Sequence, residues 1–167
     1  TLSVDAVDAS SNRSGRVDVA GSTIDTTAPT TPADLAATAT TDTSIAITWT
    51  ASSDNVAVTG YDIYRSGVLI DATTTPGYTL TGLTPATSYT IEVAARDAAG
   101  LQSPRALLEH ATSDSTAPSD PTNLAVTGAT ETTLTLTWDA STDDVGVTEY
   151  GVYLNGTLVT TVTDLTY

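Results

Sequence analysis

Seven acidic or amide side chains are the residues of this sequence best suited to chemistry, and they fall into two matching sets. Asp25, Asp54, Asn55 and Asp97 form the first set; Asp114, Asp143 and Asp144 form the second. Hard oxygen ligands of this kind suit Ca²⁺, which takes about six to eight of them. No stretch has the spacing of an EF-hand loop, so a site here must be assembled from separate segments. Asp and Asn also bond their own backbone in turns, which explains each residue singly without any ion. Both readings stay open at this level.

Other chemistry is poorly supplied, and no catalytic residue is assigned. His110 is the only histidine, there is no cysteine, and no Gly-x-Ser-x-Gly run surrounds a serine. A nucleophilic triad therefore lacks its parts. Paired carboxylates for glycoside hydrolysis need a cleft between them, which small repeated units do not offer, so the chain reads as no enzyme. Tyr64 and Tyr153 are expected to point away from the core, where an aromatic ring can stack on a sugar. A single outward Tyr is equally explained by pairing with a neighbouring strand. Asn12-Arg13-Ser14 and Asn155-Gly156-Thr157 match the glycosylation sequon, the second being better explained by its turn.

The formal net charge is −15, and all five basic residues are Arg: Arg13, Arg16, Arg65, Arg96 and Arg105. Such a surface repels phosphate backbones and anionic lipid, which argues against nucleic-acid and membrane-surface partners. No apolar run reaches transmembrane length. Without cysteine the core depends on packing alone, whatever the compartment.

The elements that would position these residues come from a repeat. Trp49 and Trp138, the only two tryptophans, lie 89 residues apart and each closes a run of alternating large apolar and small or polar residues. At the same offset Tyr61, Tyr64, Gly67 and Tyr78 meet Tyr150, Tyr153, Gly156 and Tyr167, and Pro29 and Pro32 meet Pro118 and Pro121. The period-2 alternation predicts strands near 35–39, 45–49, 58–65, 68–72 and 78–80, a long one around 89–95, and a last one over 102–112. Ser66-Gly67 and Asn155-Gly156 are two-residue hairpin signals. Short strands at this spacing, with no helical period, indicate β-sandwiches. Trp49, Trp138, Tyr61, Tyr150, Leu83 and Tyr89 are expected in their cores.

The unit resembles a fibronectin type III domain of the kind common in secreted bacterial proteins. Pro32, Leu35, Trp49, Tyr61 and Ile63 carry the resemblance, together with Leu83-Thr84-Pro85-Ala86-Thr87-Ser88-Tyr89. That last run is similar to the family's Leu-x-Pro-x-Thr-x-Tyr corner, in which the tyrosine hydroxyl bonds back to the backbone. No Arg-Gly-Asp is present, so integrin-type adhesion is not implied; Leu101 stands where relatives often have Asn, which Asn12 keeps in the first copy. The resemblance implies an all-β, linear array of tandem sandwiches: the final two strands of one unit over 1–24, a complete unit over 29–112 and the first five strands of a third over 118–167, with linkers 25–28 and 113–117. It also brings 25, 54–55 and 97 to one pole of the complete unit.

This phase leaves Leu2, Val4 and Ala6 in need of a neighbour, because two strands alone do not hold a hairpin in water. Either the chain belongs to a longer array or 1–22 of one copy completes the open sandwich of the next, giving a filament. The leading expectation is a non-catalytic structural or spacer repeat of an extracellular bacterial protein, a rod or filament whose partners are neighbouring units. The alternatives are an accessory spacer or weak carbohydrate-binding module of a secreted polysaccharide hydrolase, and the stalk of a calcium-stiffened surface adhesin.

Overall fold

The computed structural model describes all residues 1–167 and contains only strands, turns and loops. β1 (Leu2–Val4) and β2 (Val17–Val19) form a separate two-stranded hairpin. The next seven strands make two facing sheets. β3 (Ala33–Thr40), β4 (Ser44–Thr50) and β7 (Gly77–Thr81) pair in the order β3-β4-β7. β5 (Val58–Arg65), β6 (Val68–Thr73), β8 (Ser88–Asp97) and β9 (Ala106–Ala111) pair in the order β6-β5-β8-β9. The remaining strands are β10 (Thr122–Ala129) paired with β11 (Leu134–Asp139), and β12 (Tyr150–Leu154) paired with β13 (Thr157–Val162).

Alternation explains why the two large sheets face each other. In β4, Ile45, Ile47 and Trp49 point inward and are buried; from β5 and β8 they meet Tyr61, Ile63, Ile91, Val93 and Ala95. Leu80 and Leu83 close one side of this cluster. Trp49 and Tyr61 touch edge to face at 5.2 Å, and Trp138 and Tyr150 repeat the contact at 5.5 Å. Ser66 and Gly67 both take positive φ, 50° and 80°, as do Asn155 and Gly156 at 50° and 81°. These are the paired left-handed residues of a type I′ turn, so both two-residue hairpins form where the sequence signals them.

Two features depart from simple alternation. Register shifts follow Ala33 in β3 and Thr122 in β10, where Asp34 and Asn123 adopt φ of 54° and 53°. Asp and Asn tolerate that left-handed region better than branched residues do. The last strand of the complete sandwich is also shorter than expected, beginning at Ala106 rather than residue 102. Pro104 has no N–H to give the ladder. Just before it, Ser103 pairs with Ala95 partly through its side chain: its N–H donates to the Ala95 carbonyl at 2.9 Å, while its hydroxyl accepts the Ala95 N–H at 2.9 Å and donates to the Pro104 carbonyl at 2.8 Å.

The corner run folds as a lock. The Tyr89 hydroxyl accepts the Thr84 N–H at 2.8 Å, and the buried Thr112 hydroxyl accepts the Thr87 N–H at 3.0 Å while donating to the Thr84 carbonyl at 2.6 Å. His110, half-buried, shares a 2.7 Å hydrogen bond with the Thr40 hydroxyl and so links β9 to β3 across the two sheets. Its ring is occupied structurally.

Leu2 and Val4 of the first hairpin are mostly exposed, at 71% and 74%. Core-facing Leu124, Leu136, Trp138 and Val152 line an open groove of about 530 Å³ between the last two strand pairs. The side chains equivalent to these in the complete sandwich lie under β8 and β9. Burial is thus concentrated in the seven-stranded sandwich of β3 to β9.

Truncation should report this difference. Ile63→Ala, which removes a fully buried side chain, is expected to cost about 2–5 kcal/mol. Val68→Ala, on an exposed strand face, should stay within about 0.5 kcal/mol. Urea unfolding followed by circular dichroism separates the two.

Candidate functional site

The acidic residues singled out above come from three segments that the sandwich topology brings to one end. Asp25 lies before β3, Asp54 in the loop between β4 and β5, and Asp97 at the end of β8. Their carboxylates present oxygen atoms within 4.8 Å of one another, and none of the three makes a salt bridge.

Each carboxylate is held by its own turn. Asp54 Oδ2 accepts the N–H groups of Val56 at 2.9 Å and Ala57 at 3.1 Å. Asp97 Oδ1 accepts the Leu101 N–H at 2.8 Å. Asp25 Oδ1 accepts from Thr27 N at 3.1 Å and from the Asn55 amide at 3.2 Å. These are the Asx-type contacts expected of turn residues, but they use one oxygen from each of Asp54 and Asp97. Asp54 Oδ1 and Asp97 Oδ2 are buried and have no hydrogen-bond partner in the protein. Asn55 sits at the rim, orienting Asp25.

The loop that carries Asp54 is fastened from two sides. The Tyr61 hydroxyl accepts the Ser52 N–H at 2.9 Å, and Thr30 and Ser53 exchange bonds, Thr30 N to Ser53 O and Ser53 N to Thr30 Oγ1, both at 2.9 Å. Tyr150 and Ser141, and Ser119 with Thr142, repeat both devices one period later. These hydroxyl-to-loop bonds are the functional detail that the sequence left unread, because a core tyrosine advertises its ring and not the partner of its hydroxyl. Their recurrence at the repeat offset is the signal that could have found them.

The second set behaves differently. Asp143 Oδ1 accepts the N–H groups of Val145 at 2.9 Å and Gly146 at 2.8 Å, and its Oδ2 is buried without a partner, as at Asp54. Asp114 accepts the Thr116 N–H and Asp144 the Thr116 hydroxyl, at 3.3 and 3.5 Å. No trio of carboxylates is assembled from Asp114, Asp143 and Asp144. The turns repeat; a counterpart of Asp97 one period on would fall at position 186, outside the 167 residues.

Tyr64 departs from its expectation. It lies on the outer sheet face but is only 6% exposed, because the Arg105 guanidinium covers its ring at 3.5 Å from the centroid and the Gln102 amide reaches its hydroxyl at 3.4 Å. Arg105 is in turn held by Glu92 at 3.2 Å. The same face buries Asp62, whose carboxylate accepts from Gln102 and lies 3.5 Å from Arg96. No sugar ring can stack on Tyr64 while this arginine occupies its face. Tyr153 is exposed, but alone, with its ring beside Gly151, where Tyr64's neighbour is Asp62.

Two facing sheets, the edge-to-face Trp49–Tyr61 pair and the Tyr89 corner define a sandwich of the immunoglobulin-like class. Residues 28–110 match the model of the fibronectin type III domain, and this chain belongs to that family through them. Chitinase A1 of Niallia circulans is 46% identical over 149 residues, covering 86% of this chain and 21% of that protein. Exoglucanase B of Cellulomonas fimi is 44% identical over 153 residues, covering 87% and 14%. Among solved structures, chitinase ChiA74 from Bacillus thuringiensis superposes with a TM-score of 0.50 at 31% identity, covering 66% of this chain and 17% of that one. The chain thus spans about a fifth or less of the curated relatives it matches.

Two carboxyls report their turns by titration. Backbone N–H bonds from Gly146 and Val145 hold Asp143 below the ordinary 3.8, and the Asn12 amide, followed by its backbone N–H, does the same for Asp8. A lowered folded pKa means that each turn's contribution is complete above about pH 4 and is lost as the pH falls through the folded value. Carbonyl-carbon NMR titration should show both midpoints below the ordinary 3.8 of an aspartate. In the same spirit, Arg105→Ala should unmask Tyr64, read as a gain in tyrosine accessibility to iodination.

Proposed function

We propose that this chain is a non-catalytic spacer of consecutive fibronectin type III units in a secreted bacterial polysaccharide-degrading enzyme. The observation that carries the reading is the alignment itself: the matched stretches occupy a minor part of a chitinase and of an exoglucanase, and they extend over more than one repeat of this chain. A sandwich with a filled core, a covered Tyr64 and a single structurally engaged histidine supports a mechanical role. Of the three roles weighed from the sequence, the relatives favour the accessory spacer over the free-standing filament and the adhesin stalk. The proline-bearing segments that follow the linkers, 29–32 and 118–121, are tied to the loop of their own sandwich through the Thr30–Ser53 and Ser119–Thr142 bonds and would set the distance between neighbouring modules.

Such a spacer acts on the local concentration of a catalytic module at a solid surface and not on bond cleavage. In-frame excision of these residues from the parent enzyme should leave turnover of soluble oligosaccharides unchanged and lower the rate on insoluble polysaccharide by about tenfold. The isolated chain should neither cleave chitin or cellulose nor be retained on them. Hydrolysis by the isolated chain, or a parent protein without a glycoside hydrolase domain, would overturn the reading.

A further inference from the structure

We infer that Asp25, Asp54 and Asp97 form a Ca²⁺ site that pins the segment before β3 to the loop ends of the complete sandwich. Three carboxylates converge within 4.8 Å without a cationic partner, and oxygens on opposite sides of one Ca²⁺ lie about that far apart. Convergence alone is common among acidic loops. What singles this cluster out is Asp97, which is 4% exposed and keeps Oδ2 buried and unpartnered. A buried carboxylate oxygen without a donor is costly, and a divalent cation removes that cost while offsetting the mutual repulsion of the three charges.

The first repeat supplies an internal comparison. Asp8 stands where Asp97 stands one period later, and Asn12 stands where Leu101 does. Asn12 donates its backbone N–H to Asp8 Oδ1 and its side-chain amide to Oδ2, both at 2.8 Å, so both oxygens are satisfied. Leu101 repeats the backbone bond to Asp97 Oδ1 but has no side-chain donor. The exchange of Asn for Leu is what leaves Oδ2 free. Asp54 is prepared in the same manner, with Oδ2 held by two backbone N–H groups and Oδ1 buried and open. Three protein oxygens leave water to complete the shell, which places the affinity in the range of extracellular calcium modules, a Kd of about 0.1 mM.

The test uses the full 167-residue chain, dialysed against chelator and titrated separately with Ca²⁺ and Mg²⁺ by calorimetry, with thermal unfolding alongside. One Ca²⁺ should bind per chain, Mg²⁺ more weakly, and about 10 mM Ca²⁺ should raise the melting temperature of the complete sandwich by about 10 °C. Asp97→Asn should lower Ca²⁺ affinity at least about tenfold. Leu101→Asn is the sharper variant, since its amide should cap Oδ2 as Asn12 caps Asp8: it should fold, melt higher than the parent in chelator and lose the Ca²⁺ response. Asp143→Asn should leave the response intact. No Ca²⁺ heat with the parent chain, a preference for Mg²⁺, unchanged binding in Leu101→Asn, or loss of binding in Asp143→Asn would each overturn the assignment.

Discussion

Trp49 and Tyr61 meet edge to face between the two sheets, and the position of nearly every functional group follows from that contact. The indole closes the inner face of β4, and the phenol opens the inner face of β5, so the loop joining the two strands starts and ends at the same buried pair. The hydroxyl of Tyr61 then reaches back to Ser52 within that loop. One side chain thereby fills the core with its ring and sets loop geometry with its oxygen, which is the combination that makes tyrosine useful at the boundary of a small core. A unit of this size has few buried residues to spend, so each does more than one thing.

The polar constellation at the loop end inherits its order from this arrangement. Asp54 is held in place because its loop is anchored at Ser52 and Ser53, and Asp97 because β8 pairs along its length with β5. Turn formation consumes one carboxylate oxygen from each of these two residues and leaves the other buried. The repeat shows that this is not forced by turn geometry, since at Asp8 an asparagine neighbour satisfies both oxygens. The two loops differ at Ser10/Ala99, Ser11/Gly100 and Asn12/Leu101, and only the last exchange removes a side-chain donor to the aspartate.

The outer face of the four-stranded sheet has a different logic. Asp62, Arg96, Gln102, Tyr64, Arg105 and Glu92 form one chain of contacts across β5, β8 and the segment before β9. Gly60 belongs to the same layer: a Cβ there would come within 2.9 Å of the Thr73 carbonyl and 3.5 Å of the Arg96 guanidinium. Long polar side chains are here laid flat over an aromatic that would otherwise be exposed. The surface becomes polar and closed.

Much of this was legible in the sequence, because alternation and turn chemistry are local. The strands around Ile45, Ile47 and Trp49, the glycine turns at Gly67 and Gly156, and the corner ending at Tyr89 each follow from residues within a few positions of one another, where pleat and φ preference decide. The topology implied by the family resemblance then placed Asp25, Asp54 and Asp97 at one end. What tertiary structure alone decided is which atoms remain free once the segments meet. Arg105 covers Tyr64 across two strands, the Ser103 hydroxyl takes the Ala95 N–H in place of a backbone carbonyl, and Leu101 leaves Asp97 Oδ2 without a donor. Such outcomes depend on side chains from distant segments competing for the same partner, and no local pattern encodes the winner of that competition.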